Sequence, residues 1–166
     1  MKKLIIYFLF LLAIPAGMVA QVTVTGSIGA DGTYGRLALA FNAINGTTQT
    51  GSNIVITITA STTETATALL NAGSWTSINI YPTVTGLTIS GSINGPLINL
   101  NGADNVTIDG RVGASGNTKD LTITNTSIGN GITIQFVLSA QNNTVQYCKI
   151  KGSGTSGTRG IILFSS

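Results

Sequence analysis

Histidine is missing from this sequence altogether, cysteine occurs once, and only 8% of the residues carry charge. Each shortage excludes something. Without histidine there is no Ser-His-Asp or Cys-His nucleophile system and no imidazole-rich transition-metal site. A lone Cys148 has no internal partner for a disulfide, and it sits in a strand-like pattern with no base beside it. It reads as a small buried hydrophobe. Proline is rare too, at 3 residues. What is abundant is Gly, Thr, Ser, Asn and Ile, a β-forming composition and the opposite of a charged, disordered one.

Lys2 and Lys3 precede an apolar run, Leu4 to Ile14, broken by Pro15, Ala16 and Gly17. That order is a secretory signal peptide, expected to span 1–20 with cleavage after Ala20. The run falls short of the roughly 20 residues a membrane helix needs, so no membrane span is expected after cleavage. No cysteine follows it to carry a lipid anchor. From Gln21 onward six basic residues (Arg36, Arg111, Lys119, Lys149, Lys151, Arg159) face five acids (Asp31, Glu64, Asp104, Asp109, Asp120). That near-balance leaves no cationic stripe for phosphates, and nucleic acid is not an expected partner.

Residues 21–46 form the lead. QVTVTGSIGADGT alternates and then turns Gly-rich, and Tyr34 to Asn45 reads as a helix. Its stripe is Leu37, Ala40, Phe41 and Ile44, at i, i+3, i+4 and i+7. Asp31 or Thr33 is the expected N-terminal cap, and Asn45-Gly46 a left-handed stop. Such a helix covers the first apolar rung of a β region and blocks edge pairing.

Residues 47–166 read as strands and turns, with a recurring unit. Ile89, Ile123 and Ile150 lie 34 and 27 residues apart, and the first interval contains a ten-residue Gly-rich block, GRVGASGNTK at 110–119, that the second lacks. Without it 24 residues remain, near 27. An outward insertion of that size costs little, because loop closure grows only logarithmically with length. The corners Ala103-Asp104-Asn105 and Ala140-Gln141-Asn142 also match, 37 apart. A repeat in constant order predicts an all-β fold, a parallel β-helix whose coils bury Leu87/Ile89, Val106/Ile108, Leu121/Ile123 and Val145/Ile150. Asn105 and Asn142 are then expected to form an interior corner ladder. The register between Leu97–Leu100 and Ile132–Val137 stays open. The last apolar run, Gly160 to Ser166, has no closing turn, which predicts a solenoid incomplete at its C-terminus and further coils of a longer chain.

SINIYPTVTGLTISG, LINLNGADNVTIDG and NNTVQYCKIKGS resemble the right-handed parallel β-helix (pectin-lyase-like) region of large secreted or surface proteins of bacteria that use the type IX secretion system. GTYGRLALAFNAIN is similar to the helix that opens those domains. The resemblance implies secretion or outer-surface display, and a fold that hosts polysaccharide lyases and glycoside hydrolases working through paired acids, or through Ca²⁺ with an Arg or Lys base. A C-terminal sorting domain follows much further along in such proteins.

Five charges cluster between 104 and 120. Asp109 ends VTID, Asp120 opens LTIT, and Arg111 and Lys119 lie in the loop they flank. Asp109, Arg111, Lys119 and Asp120 are therefore the candidate catalytic set, and Asp104, Asp109 and Asp120 the candidate Ca²⁺ ligands. The same residues are ordinary turn and strand-opening chemistry, and that reading weighs more, because the catalytic one rests on fold analogy. No other cofactor is implied. Trp75 and Tyr81 read as packing rather than as sugar-stacking residues. Four N-x-S/T matches, at Asn45, Asn105, Asn125 and Asn142, follow from composition. The residues lean away from an enzyme and toward a surface scaffold binding extracellular polysaccharide or a cell-surface component, in an adhesive role. A polysaccharide lyase or hydrolase is the alternative.

Overall fold

The computed structural model describes residues 20–157 and 159–165. The expected signal peptide lies outside the described residues, except for Ala20. Among the described residues no helix is long and apolar enough to cross a membrane.

The lead is a hairpin and a helix. β1 (Val22–Thr25) pairs antiparallel with β2 (Gly32–Tyr34), burying Val22 and Val24. The connection is too short for a parallel crossover, which takes a dozen or more residues. Asp31 braces the turn, accepting the Ser27 backbone N–H at 2.7 Å and its hydroxyl at 2.6 Å. Helix α1 (Leu37–Asn45) starts later than the pattern suggests, because Tyr34 belongs to β2. Its buried face is Leu37, Ala38, Ala40, Phe41 and Ile44, and it packs chiefly on β5 (Ala68–Asn71). Neither Asp31 nor Thr33 caps it. Arg36 occupies the N-cap position without a side-chain bond, and Gly46 ends the helix at φ −77°, so the expected left-handed stop is absent.

Beyond α1 the strands run β3 (Asn53–Ile58), β4 (Thr62–Glu64), β5, β6 (Ser77–Pro82), β7 (Leu87–Gly91), β8 (Pro96–Asn101), β9 (Val106–Asp109), β10 (Leu121–Asn125), β11 (Ile132–Val137), β12 (Thr144–Gln146), β13 (Cys148–Gly152) and β14 (Ile162–Phe164). They build three sheets. The first has six strands in the order β12-β9-β6-β3-β1-β2, the second four as β13-β10-β7-β4, and the third four as β14-β11-β8-β5. The expectation of an all-β, right-handed parallel β-helix is corrected by this arrangement. The first sheet is mixed, since β1 pairs antiparallel with both β2 and β3, and a packed helix stands between β2 and β3. The result is a mixed α/β fold with one mixed and two parallel sheets. The physical reason lies in the lead, where a tight turn forces antiparallel pairing and the 3.6-residue stripe forms a true helix.

Within the second sheet Ile89, Ile123 and Ile150 occupy one register, as do Leu87, Leu121 and Cys148. Val106 and Ile108 align with Ile78 and Ile80 in the first sheet, and Val145 with Ile108. Val145 and Ile150 therefore belong to different sheets. The open register is resolved in the third sheet, where Ile134 meets Ile98 and Phe136 meets Leu100. Ile54, Ile56, Ile58, Ile78, Ile80, Ile89, Ile98 and Ile123 are all at or below 1% exposure. Each such side chain contributes about 1.5–3 kcal/mol of burial.

The corners are not an interior ladder of Asn105 and Asn142. Both are exposed left-handed residues, at φ 58° and 55°. Asparagine tolerates that conformation better than most residues. The backbone N–H of Asn105 donates to Gln141 O at 3.1 Å, and the side-chain bonds come from the next residue. Asn143 Nδ2 donates to Ala103 O, and its Oδ1 accepts from Val106 N. The interior asparagine is Asn125, which is fully buried. Its amide donates to Ile93 O, Gly95 O and Ile132 O, each at 2.9 Å.

Candidate functional site

β9 delivers Asp109 to the mouth of the loop, where its carboxylate is 3% exposed. Gly110 closes the loop base. Its carbonyl accepts the N–H of Asp120 at 2.7 Å and of Leu121 at 3.0 Å, while its own N–H donates to Gln146 O at 2.9 Å. A Cβ at Gly110 would stand 2.1 Å from Tyr147 O, so this close approach admits only glycine.

Arg111 turns back onto Asp109. Its Nε donates to Oδ1 at 2.9 Å and its Nη2 to Oδ2 at 2.5 Å, and its backbone N–H reaches Oδ1 at 3.0 Å. Gln146 Nε2 adds a bond to Oδ2 at 2.8 Å. The guanidinium carbon lies 4.2 Å from the centre of the Tyr147 ring, and Nη1 donates to Gly116 O. The Arg111 hydrogen bond holds the Asp109 carboxyl below the usual aspartate value against the opposing effect of burial, with Gln146 adding to the same direction. Asp109 in turn raises the Arg111 value. Burial first, and then the Asp109 charge, push the Cys148 thiol up to about 12, so it stays protonated at neutral pH.

The remaining candidates do not join this pair. Lys119 is exposed, and Asp120 accepts a hydrogen bond from the Thr118 hydroxyl. Asp104 sits at the β8–β9 corner, where its Oδ1 accepts Gln141 N at 2.5 Å and its carbonyl accepts Trp75 Nε1 at 2.7 Å. Among the described residues no three or more Asp, Glu, Cys or His side chains gather to hold a metal ion, so Asp104, Asp109 and Asp120 do not form a Ca²⁺ cage. Trp75 is 6% exposed and serves packing.

No known family model, curated protein or solved structure matches this chain.

Two features have no local mark in the sequence. Glu64, 2% exposed, accepts the N–H groups of Leu37 and Ala38 through its two oxygens at 3.0 and 2.9 Å, capping α1 from a strand 27 residues on. The other is the end of the molecule away from α1. There Phe164 stacks on Phe136 with ring centres 4.8 Å apart, beside a cleft of about 320 Å³ lined by Phe136, Ala140, Val145, Ile162 and Phe164 among others. In the sequence Ile162 and Phe164 stand only in the last apolar run, while Phe136, Ala140 and Val145 belong to an earlier run, a corner and a rung, with nothing to show that they meet.

Proposed function

We propose that this chain is a secreted or surface-displayed, non-catalytic scaffold whose loops contact extracellular polysaccharide or a cell-surface component. The observation that carries the reading is the state of Asp109. The acid best placed for catalysis has both oxygens taken by Arg111 and Gln146, in a brace that secures a loop base. A general acid or a nucleophile needs an oxygen aimed at a substrate, and a lyase base of the Arg type needs a guanidinium free to approach the sugar. The signal-like N-terminus supports export, and the Thr-, Ser- and Asn-rich exterior suits hydrogen bonding to sugar hydroxyls.

The test is to assay the exported chain on acidic polysaccharides with and without Ca²⁺, and in parallel on a glycan array. Retention on one or more glycans without turnover supports the scaffold. Turnover that is lost in Asp109→Ala but kept in a variant of equal stability elsewhere would replace it with the lyase or hydrolase reading.

A further inference from the structure

Four asparagines stand directly before a glycine: Asn45, Asn94, Asn101 and Asn130. In such a pair the backbone nitrogen of the glycine can attack the side-chain amide carbon of the asparagine, because glycine brings no side chain to block the approach. The attack asks two things of the structure. The glycine N–H has to be free of an acceptor that holds its proton, and the asparagine side chain has to be free to swing over the nitrogen.

At three of the pairs both groups are engaged. Gly46 N donates to Asn42 O at 3.1 Å, and Asn45 is held at both ends of its amide, by Leu69 O and Asn71 N. Gly95 N donates to Ile93 O at 2.8 Å, and Asn94 Oδ1 accepts the Asn130 N–H at 3.3 Å. Gly102 N donates to Val137 O at 2.9 Å, and Asn101 Nδ2 donates to Asn71 Oδ1 at 2.9 Å. The fourth pair, in the turn between β10 and β11, differs in both respects. Asn130 is exposed, and among the described residues neither its side chain nor the N–H of Gly131 has a hydrogen-bond partner. The turn also requires its glycine, since a Cβ at 131 would stand 2.5 Å from Ser127 O.

We propose that Asn130 is a site of spontaneous deamidation, the one Asn-Gly pair that the fold leaves open to conversion into aspartate and isoaspartate. The Gly131 nitrogen gives its proton to solvent base and bonds to Asn130 Cγ, the Cγ–Nδ2 bond breaks, and ammonia leaves with a proton taken from water. Water then opens the resulting cyclic imide at one carbonyl to give aspartate or at the other to give isoaspartate. The net change turns an amide and a water into a carboxylate and an ammonium ion. Isoaspartate also adds a methylene to the backbone next to Gly129, whose carbonyl accepts the Thr155 N–H at 3.1 Å. This goes beyond the glycan-binding reading and does not depend on it.

The test is to age the folded chain in buffer at neutral and at mildly alkaline pH, and in parallel the chain unfolded in guanidinium chloride. Peptide mass spectrometry then quantifies deamidation at each asparagine, and enzymatic carboxyl methylation detects isoaspartate. In the folded chain Asn130 is expected to convert at least tenfold faster than Asn45, Asn94 or Asn101, and faster at the higher pH. In denaturant the four rates are expected to converge. Asn130→Gln, which can close only a larger and slower-forming ring, should lose most of the isoaspartate signal; its side chain is exposed, and circular dichroism checks that it folds. Equal rates at the four pairs of the folded chain, faster conversion at one of the other three, or no conversion at Asn130 in the time the unfolded chain takes would each overturn the proposal. So would a spread among the pairs that is as wide in denaturant as in buffer, since the cause would then lie in the sequence and not in the fold.

Discussion

At Asp109 a buried carboxylate keeps its charge because a guanidinium two residues away folds back over it and an amide arrives from β12. The folded carboxyl therefore titrates below the unfolded one, which lies near about 3.9. A depressed folded value gives stability that is fully present above the unfolded value and is lost as pH falls through the folded one. Asp109→Asn should accordingly be less stable than the parent by a constant amount near neutral pH, with the gap closing below about pH 4. Urea unfolding at a series of pH values reads this directly, and a gap that does not change with pH would show that the charge contributes nothing. The strand-end position of Asp109 was legible, because VTID followed by glycine announces a turn. Its partner Gln146 was not, since it lies 37 residues away and nothing local marks it.

For the elements, helix α1 teaches most. Its stripe was readable from the spacing of Leu37, Ala40, Phe41 and Ile44, and those residues are buried. Its start was misplaced because Asp31 and Thr33, the nearby cap formers, are used in the β1–β2 hairpin, Asp31 by Ser27 and Thr33 in register with Thr23. The cap comes from Glu64 on β4, a long-range contact with no trace in the helix's own sequence. Removing it leaves two N–H groups buried without acceptors at the positive end of the helix. Glu64→Ala should cost about 2–3 kcal/mol, measured by denaturant midpoint with unchanged slope, and Glu64→Gln distinctly less. Loss of less than about 0.5 kcal/mol in the alanine variant would mean that water replaces the carboxylate without penalty.

Across the whole molecule, the alignment of Ile89, Ile123 and Ile150 was legible because identical roles recur once the 110–119 block is set aside. The antiparallel lead was not, because alternation in VTVT gives a strand without its direction, and only the short turn decides that. Among the described residues β12, β13 and β14 each pair with one strand, whereas β3, β6 and β7 each pair with two, and local stability should follow that difference. Amide hydrogen exchange is expected to be slowest in β3, β6 and β7 and fastest in β12, β13 and β14, with uniform protection as the contrary result. Finally, the tie at Gly110 brings residues 110 and 120 within one hydrogen bond, so the stretch between them leaves and rejoins the framework at a single point. A foreign peptide spliced in place of 115–118 would hang from that pinch while the 3-10 turn at Val112–Ala114 keeps its place beside β6, which makes the site a ready seat for a transplanted epitope.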